Sequence, residues 1–214
     1  MKTSLQALLA EDRPLLADGA TGTNYFEMGL TSGEPPEFWL VDHPDRVAQL
    51  HQAFVDAGSD IILTNTFGAN RSRLALHHAQ DRSYELSQRA AEIARSVADA
   101  TPRPVVVAGS VGPTGDLFVP LGTLEYDAAV AIFEEQIAGL KAGGADVAWI
   151  ETMSAAEELR AAAQAAINVG LPYVATCSFD TAGRTMMGML PQDLVEVFDE
   201  LSVAPLAVLS LIHI

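Results

Sequence analysis

The stretch LLADGATGTN, residues 15–24, joins a short apolar run directly to a carboxylate and a glycine-rich turn. A short apolar run is typical of a buried strand, and glycines let the backbone turn tightly or approach a ligand closely. In a parallel α/β protein, small molecules bind at the carboxyl ends of the strands. Asp18 is therefore a candidate anchor for a cationic or hydroxylated group. A turn aspartate that bonds to its own backbone is the alternative.

Strand-like and helix-like segments alternate along the chain. The apolar segments that predict strands are 14–17, 60–64, 104–108, 146–150 and 173–178, with the start of another at 204–208. The helical patterns are 44–57, 84–100, 127–142, 154–167 and 191–201, and a short first helix precedes them. The residues from Ser154 to Glu157 form a capping-box pattern, which places a helix start just after Met153. This alternation predicts a parallel sheet with right-handed crossovers.

The choice between an open sheet and a closed barrel depends on the residues that follow the strands. Open nucleotide-binding folds carry GxGxxG or GxxxxGK[ST], and neither pattern is present. Polar residues instead end nearly every predicted strand: Asp18, Asn65-Thr66, Ser110 with 112–115, Glu151-Thr152, and Ser178 with Asp180. A ring of such residues is typical of the catalytic face of a (β/α)8 TIM barrel. We therefore expect an α/β fold that contains about the first five and a half units of such a barrel.

Composition restricts the class of protein. The 214 residues are 49% apolar and 19% charged, which predicts one globular domain with a continuous core. The formal net charge of −16 argues against nucleic acid or an anionic membrane as a partner, and no apolar run is long enough to span a bilayer. The single cysteine, Cys177, excludes an internal disulfide and favours a cytoplasmic location.

Two carboxylates are the strongest candidates for chemistry. Glu151 closes the apolar run DVAWI, so it would point into the mouth of a barrel together with Asp18. Paired carboxylates suit general acid–base catalysis or recognition of a substrate ammonium group. The alternative for Glu151 is an exposed glutamate near a helix N-terminus, where the helix dipole favours it.

The other polar residues have more than one interpretation. Asn65 and the segment 107–115 offer donors that would fit a carboxylate ligand, but the same groups could satisfy loop backbone. Cys177 lies within a strand and is predicted to be a small core residue. His77 and His78 have no Cys or Glu at ligand spacing, so we assign them to the surface or to packing and not to a metal site.

Five motifs together resemble one known family. In order they are LLADGATGTN (15–24), AGSDIILTNTFGAN (57–70), VVVAGSVGPTGD (105–116), ADVAWIETMSAAEE (145–158) and FDTAGRTMMGM (179–189). They resemble the homocysteine S-methyltransferase family over residues 4–208. They look closest to its betaine–homocysteine methyltransferase-like members, and they are also similar to the homocysteine-binding module of cobalamin-dependent methionine synthase.

The resemblance implies a (β/α)8 barrel that binds homocysteine and a zinc ion. In that family the zinc holds the substrate sulfur as a thiolate, which attacks the methyl group of a donor and gives methionine. The family's strand-end aspartate and glutamate hold the homocysteine ammonium, and they match Asp18 and Glu151. The following turn lies against the amino-acid portion of the substrate. The substrate-binding residues predicted on this basis are Asp18, Gly19, Ala20, Thr21, Gly22, Thr23, Asn65 and Glu151.

The chain departs from the family pattern at its end. The family's zinc ligands are three cysteines, in a Gly-x-Asn-Cys segment and a later Cys-Cys pair, and neither follows here. Residues 209–214, LSLIHI, are unlike the family and similar to translated sequencing-adapter read-through. We therefore expect residues 1–208 to be an incomplete homocysteine-binding barrel domain, residues 209–214 to be a non-native tail, and His213 to be no ligand. We also expect this chain to be inactive and its full-length parent to be active.

Three functions remain open from the sequence. The first is a zinc-dependent homocysteine S-methyltransferase with a small, betaine-like methyl donor. The second is the homocysteine-binding module of a cobalamin-dependent methionine synthase-like protein. The third is a barrel lyase or aldolase that uses Asp18 and Glu151 as acid and base, although no lysine ends a predicted strand to form a Schiff base. The sequence does not indicate the oligomeric state.

Overall fold

The fold is described from a computed structural model, which covers residues 3–179 and 182–211, the last three by their backbone alone. Asp180, predicted to follow a strand, and residues 212–214, which belong to the predicted non-native tail, lie outside the described residues. No helix in the described part of the chain is both long enough and apolar enough to cross a membrane.

Five strands form one parallel sheet in sequence order. They are β1 (Ile61–Leu63), β2 (Val106–Val111), β3 (Val147–Met153), β4 (Tyr173–Ser178) and β5 (Val208–Leu211). The strands predicted near 60, 104, 146 and 173 are confirmed. Strand β5 begins at the last residue of the segment predicted at 204–208. The domain boundary after Val208 stays a prediction.

The strand predicted at 14–17 is wrong as a ladder strand. Only Ala17 pairs with β1, through an isolated parallel bridge to Ile61. The cause lies one residue earlier, where the Leu16 N–H donates to Oδ2 of Asp60 over 3.0 Å. The same carboxylate is bound by Arg13 at 2.9 Å. The carbonyl of Leu16 still accepts from the N–H of Ile61, and the N–H of Asp18 donates to the carbonyl of Ile61, but the contacts with the Asp60 side chain limit the pairing to this one bridge.

Nine helices of the described residues surround the sheet. They are α1 (Leu5–Leu9), α2 (Thr21–Glu27), α3 (Trp39–Asp42), α4 (Pro44–Asp56), α5 (Arg71–Ala75), α6 (Ser83–Ala100), α7 (Tyr126–Ala142), α8 (Ala156–Val169) and α9 (Pro191–Asp199). Two short 3₁₀ turns cover Pro36–Phe38 and Gln80–Arg82. The predicted helices are confirmed, with ends that differ by one or two residues.

The capping box predicted at Ser154 is wrong. Helix α8 begins after Ala155, and no side chain caps it. The backbone carbonyl of Ser154 instead accepts a hydrogen bond from Oγ1 of Thr185 at 2.6 Å. A contact with the segment after β4 therefore fixes Ser154 outside the helix.

The two faces of the sheet carry separate apolar cores. On one face, Val106 and Val147 pack with Leu8 of the short helix α1. On the other face, alternate strand residues such as Val107 and Cys177 pack against helices α6, α7 and α8. This alternation follows from the two-residue period of a strand. It confirms that Cys177 is a core residue.

The face covered by α1 becomes polar toward the carboxyl ends of the strands. Ser110 lies two residues after Ala108, and Glu151 lies two residues after Trp149, so both continue the row of that face. The sequence thus places apolar side chains at one end of this face and a serine and a carboxylate at the other.

Candidate functional site

A cavity of about 980 Å³ lies at the carboxyl ends of β1, β2 and β3. Its walls come from residues 17–22, 33–37, 63–68, 73–74 and 76–77, together with Ser110, Trp149 and Glu151. The predicted substrate residues that line it are Asp18, Gly19, Ala20, Thr21, Gly22, Asn65 and Glu151. Thr23 lies in α2 with an exposed side chain and is not part of the lining.

Asp18 is held against the first strand of the sheet. Its N–H donates to the carbonyl of Ile61 at 2.9 Å, and its Oδ2 accepts from the N–H of Leu63 at 2.8 Å. Burial raises the pKa of this carboxyl to about 7; the Leu63 N–H opposes the rise, and the negative charge of Glu151 adds to it. Asp18 is therefore a half-buried carboxyl that gains or loses its proton near neutral pH.

Glu151 projects from an irregular part of β3. The register with β4 shifts between Ile150 and Met153, and Thr152 has a positive φ of 65°. A left-handed conformation at a β-branched residue costs on the order of 1–3 kcal/mol, and bulges of this kind re-aim side chains near binding sites. Oε1 of Glu151 accepts from Oγ of Ser110, and burial raises the pKa of the Glu151 carboxyl. Asp18 and Glu151 both line the cavity, and the negative charge of Glu151 contributes to the raised pKa of Asp18.

A buried hydrogen-bond network fixes the ends of β1 and β2 beneath the cavity. Oγ1 of Thr66 donates to the carbonyl of Ser110 at 2.7 Å, and the Ser110 N–H donates to Oγ1 of Thr64 at 3.0 Å. Nε2 of Gln136, in α7, donates to the carbonyl of Thr66 at 2.8 Å. These hydrogen bonds fix the backbone of Ser110. Because Oγ of Ser110 donates to Glu151, they also help to fix the Glu151 carboxyl.

Asn65 supports the segment that covers the cavity. Its Nδ2 donates to the carbonyl of Pro36 at 2.7 Å, and the residue is only 5% exposed. Beside it, the N–H of Gly68 donates to Oε1 of Glu37 at 2.7 Å, and a Cβ at position 68 would lie 2.9 Å from that oxygen. The amide nitrogen predicted to meet a ligand is thus already occupied by backbone.

The donors of Ser110 and Thr114, in the segment 107–115, bond to other groups of the protein, as the alternative interpretation of this segment expected. The N–H and Oγ1 of Thr114 both donate to Oε1 of Glu158, at 2.8 and 2.6 Å. Nδ2 of Asn70 donates to the carbonyls of Gly112 and Pro113. From this segment only Ser110 lines the cavity.

Sequence reasoning missed the basic side of the cavity. Arg73 and His77, both exposed, line the cavity, as do the half-buried Glu34 and the buried Glu37. His77 was assigned to the surface or to packing, and its ring does lie 6.2 Å from that of Phe38, edge to face. The available signal was Asn70, a preferred N-cap residue, which caps α5 and so predicts a helix that carries Arg73.

The described residues do not fit a zinc ion. No group of three or more His, Cys, Asp and Glu side chains among them is arranged to hold a metal. Cys177 lies on the helix-covered face of the sheet with no exposed surface, and burial raises the pKa of its thiol to about 12. A thiol that stays protonated at neutral pH is a poor metal ligand.

Comparison with known proteins places the chain. The family model described as homocysteine S-methyltransferase matches residues 15–210. Methionine synthase of Mycobacterium leprae is 33% identical over 201 residues, which is 87% of this chain and 16% of that protein. Methionine synthase of Mycobacterium tuberculosis gives the same identity and covers 17% of its own length. The chain thus spans about a sixth of the curated relatives that it matches.

Solved structures support the fold class. The crystal structure of the homocysteine methyltransferase MmuM from Escherichia coli, metallated form, has a TM-score of 0.82 and 24% sequence identity over 97% of this chain and 77% of that chain. The oxidized form of the same protein has a TM-score of 0.79 and 23% identity over 92% and 73%. This likeness confirms the predicted α/β fold built from units of a TIM barrel. With the family model matching most of the chain, the protein belongs to the homocysteine S-methyltransferase family.

Proposed function

We propose that this chain binds homocysteine as the amino-acid-recognising part of a homocysteine S-methyltransferase, the enzyme that makes methionine. The observation that carries the proposal is that Asp18 and Glu151 line one cavity, at the ends of strands where barrel enzymes bind substrate. Membership of the family supports the choice of ligand.

The two carboxyls suit an ammonium group. Burial raises the pKa of both, so without a ligand the ionised form of each carboxyl is less favoured than it is in water. A bound ammonium supplies the opposite charge that restores both carboxylates, which makes the hydrogen bonds charge-assisted. The turn Gly19–Gly22 would lie along the amino-acid portion, whereas Asn65 would act by holding Pro36 over the cavity.

Methyl transfer also requires the homocysteine sulfur as a thiolate. Zinc supplies that state in the family that the motifs resemble, but the described residues do not fit the metal. No described side chain therefore takes the role of sulfur activation. We accordingly propose that the 214-residue chain binds homocysteine without turning it over, and that a complete family enzyme of this type uses zinc and a small, betaine-like donor. A cytoplasmic location remains a prediction.

A second candidate is the homocysteine-binding module of a methionine synthase-like protein. It is supported by the curated relatives, which are methionine synthases matched over a small share of their length. The two candidates predict different neighbours in the gene. Cobalamin-binding and folate-binding modules encoded beyond Val208 would favour the second, whereas the remaining barrel strands alone would favour the first.

Calorimetric titration of homocysteine into the chain tests the proposal. We expect binding that is lost or strongly weakened in Asp18→Asn and Glu151→Gln and kept in Asp12→Asn, a control at an exposed aspartate outside the cavity. Plasma emission spectroscopy should find no stoichiometric zinc, and homocysteine with betaine should give no methionine. Wild-type protein that fails to bind homocysteine would refute the binding site, and stoichiometric zinc with turnover would refute the proposed inactivity.

A further inference from the structure

Trp149 lies beneath the carboxyls of the proposed homocysteine site, on the side of the amino ends of the strands. It comes two residues before Glu151 in β3, and both side chains line the cavity. In the parallel ladder Trp149 pairs with Ser110 of β2, whose Oγ donates to Glu151. Two residues of a strand span about 7 Å. An amino acid whose ammonium lies on Glu151 therefore has its side chain within reach of the indole.

The indole belongs to an apolar floor of the cavity. Ala17, Leu63 and Trp149 line the cavity, and all three pack against the apolar cluster that contains Val147 and Val174. Trp149 is only half-buried, so part of its ring surface is open to the cavity. A ligand side chain that reaches this floor meets alkyl groups and an aromatic ring.

The hydroxyls at the ends of β1 and β2, beside this floor, already have partners. Oγ1 of Thr64 lies 2.6 Å from Oγ1 of Thr66, whose hydroxyl donates to the carbonyl of Ser110 at 2.7 Å. Oγ of Ser110 donates to Glu151. A ligand hydroxyl therefore finds no free proton donor among these three side chains, and a polar group that loses its bonds to water without replacement binds less well. A thiol forms only weak hydrogen bonds and loses little in the same place.

The exposed cations of the cavity lie away from this floor. Arg73 and His77 are exposed to solvent, whereas Trp149 lies on the sheet. The charged carboxylate of a bound amino acid is best solvated on the exposed side, and its alkyl chain gains most by leaving water on the apolar side. With the ammonium on Asp18 and Glu151, the side chain is therefore directed toward the indole.

We propose that Trp149 determines which amino-acid side chain the site accepts, because its indole contacts the sulfur-bearing chain of homocysteine and disfavours the hydroxyl of homoserine. Sulfur is polarizable and packs favourably against aromatic rings. The contact selects the part of the substrate that the two carboxyls do not touch. This inference rests on the proposed function, because it assumes that Asp18 and Glu151 hold the ammonium.

The test is calorimetric titration of the full chain with homocysteine, norvaline and homoserine, whose side chains end in a thiol, a methyl and a hydroxyl group. We expect homocysteine and norvaline to bind on the order of 10- to 100-fold more tightly than homoserine, the discrimination that an apolar pocket achieves against a hydroxyl. Trp149→Phe keeps an aromatic floor and should keep most of this preference. Trp149→Gln supplies a hydrogen-bonding amide and should reduce the ratio between homocysteine and homoserine about tenfold.

Tryptophan fluorescence gives a second measurement on the wild-type protein. The chain has two tryptophans, and Trp39 is 1% exposed and is not part of the cavity lining. Homocysteine should therefore change the emission of Trp149. The change should persist in Trp39→Phe, the matched control, and vanish in Trp149→Phe.

The outcomes separate this inference from the proposed function. A wild-type protein that binds no homocysteine would contradict both. Homocysteine that binds without changing the emission, or homoserine that binds as tightly as homocysteine, would contradict the inference alone, and so would norvaline that binds as weakly as homoserine. An unchanged ratio in Trp149→Gln would show that the indole only supports the fold. The wild-type measurements decide the inference even if Trp149→Gln does not fold.

Discussion

Oγ of Ser110 donates a hydrogen bond to Oε1 of Glu151, and the two residues lie near the ends of the neighbouring strands β2 and β3. The serine is itself fixed through Thr64 and Thr66, so the carboxylate is oriented before any ligand arrives. Preorganised groups lose less entropy when a ligand binds. The bulge at Thr152 then sets the direction of Glu151, and Ser110 sets its final position.

This relationship predicts a graded effect on homocysteine binding. Glu151→Gln removes the charge and should weaken binding about tenfold or more, as expected for a charge-assisted hydrogen bond. Ser110→Ala leaves the charge and removes only the orienting partner, so a few-fold loss is expected. Calorimetric titration of homocysteine into both variants at pH 7.5 shows which variant loses more affinity. A larger loss for Ser110→Ala than for Glu151→Gln would contradict the role assigned to the carboxylate.

Homocysteine affinity should rise with pH up to about pH 7. The pKa of Asp18 is raised to about 7 and that of Glu151 is raised above its usual range, so part of the site is protonated in mildly acidic solution. An ammonium group favours the ionised carboxylates, and its binding therefore releases protons below that pH. Titrations in buffers with different ionisation enthalpies count these protons. Asp18→Asn should remove most of the proton release, and an affinity that is flat from pH 5.5 to 7.5 in the wild type would argue against this site.

The same group should lower the stability of the free protein at high pH. Asp18 has a pKa of about 7 when folded and about 3.8 as a model compound, so the folded state holds the extra proton between these values. The free energy of unfolding therefore falls as pH rises through this window. Asp18→Asn should be more stable than wild type at pH 8, by on the order of 2 kcal/mol, with a smaller margin at pH 5. Urea unfolding of both proteins, with Asp12→Asn as the exposed control, measures the difference.

Much of the fold could be predicted because its signals are local and repeated. The chain around Val106, Val147 and Val174 has the same pattern each time, a short apolar run, and each run forms a buried parallel strand. The rule that ligands bind at strand ends then brought Asp18 and Glu151 together without any knowledge of distances. These two residues needed only the order of strands along the chain.

The rest of the site depends on contacts between distant segments. The opposite wall reaches the cavity because Asn65 binds Pro36 and Gly68 binds Glu37, and neither contact has a sequence pattern. Arg73 lies on a five-residue helix, too short for a hydrophobic period. The first strand also failed for a non-local reason, because the side chain of Asp60 takes the N–H that a ladder would use.

Glu158 should stabilise the protein by holding the loop after β2. Its Oε1 accepts two hydrogen bonds from Thr114, and both residues are buried. Glu158→Ala leaves a buried N–H and hydroxyl without this acceptor, which should cost about 1–3 kcal/mol. Glu158→Gln keeps an acceptor oxygen and should cost less. Thermal unfolding of both, beside Glu157→Ala at the exposed neighbouring position, tests this; equal losses in all three would show that the loop does not depend on the contact.

Helices α6 and α7 approach so closely that Gly139 cannot take a side chain without a shift. A Cβ there would lie 2.4 Å from the carbonyl oxygen of Tyr84. Gly139→Ala should therefore destabilise the protein by about 1–3 kcal/mol, despite the better helix propensity of alanine. Gly22→Ala, a helical position with nothing within 4 Å, should be neutral or stabilising in the same urea titration. A neutral Gly139→Ala would mean that the two helices can move apart freely.

The isolated bridge at Ala17 has a consequence for self-association. Where a strand would pair with β1, the Leu63 N–H meets the carboxylate of Asp18 and the Leu16 N–H meets that of Asp60. Unpaired strand edges recruit strands from other molecules, and proteins usually block them with charge or cover. Here the side chains of Asp18 and Asp60 accept hydrogen bonds from the edge amides, so the protein's resistance to edge-to-edge aggregation depends on these two side chains in place of a continuous ladder.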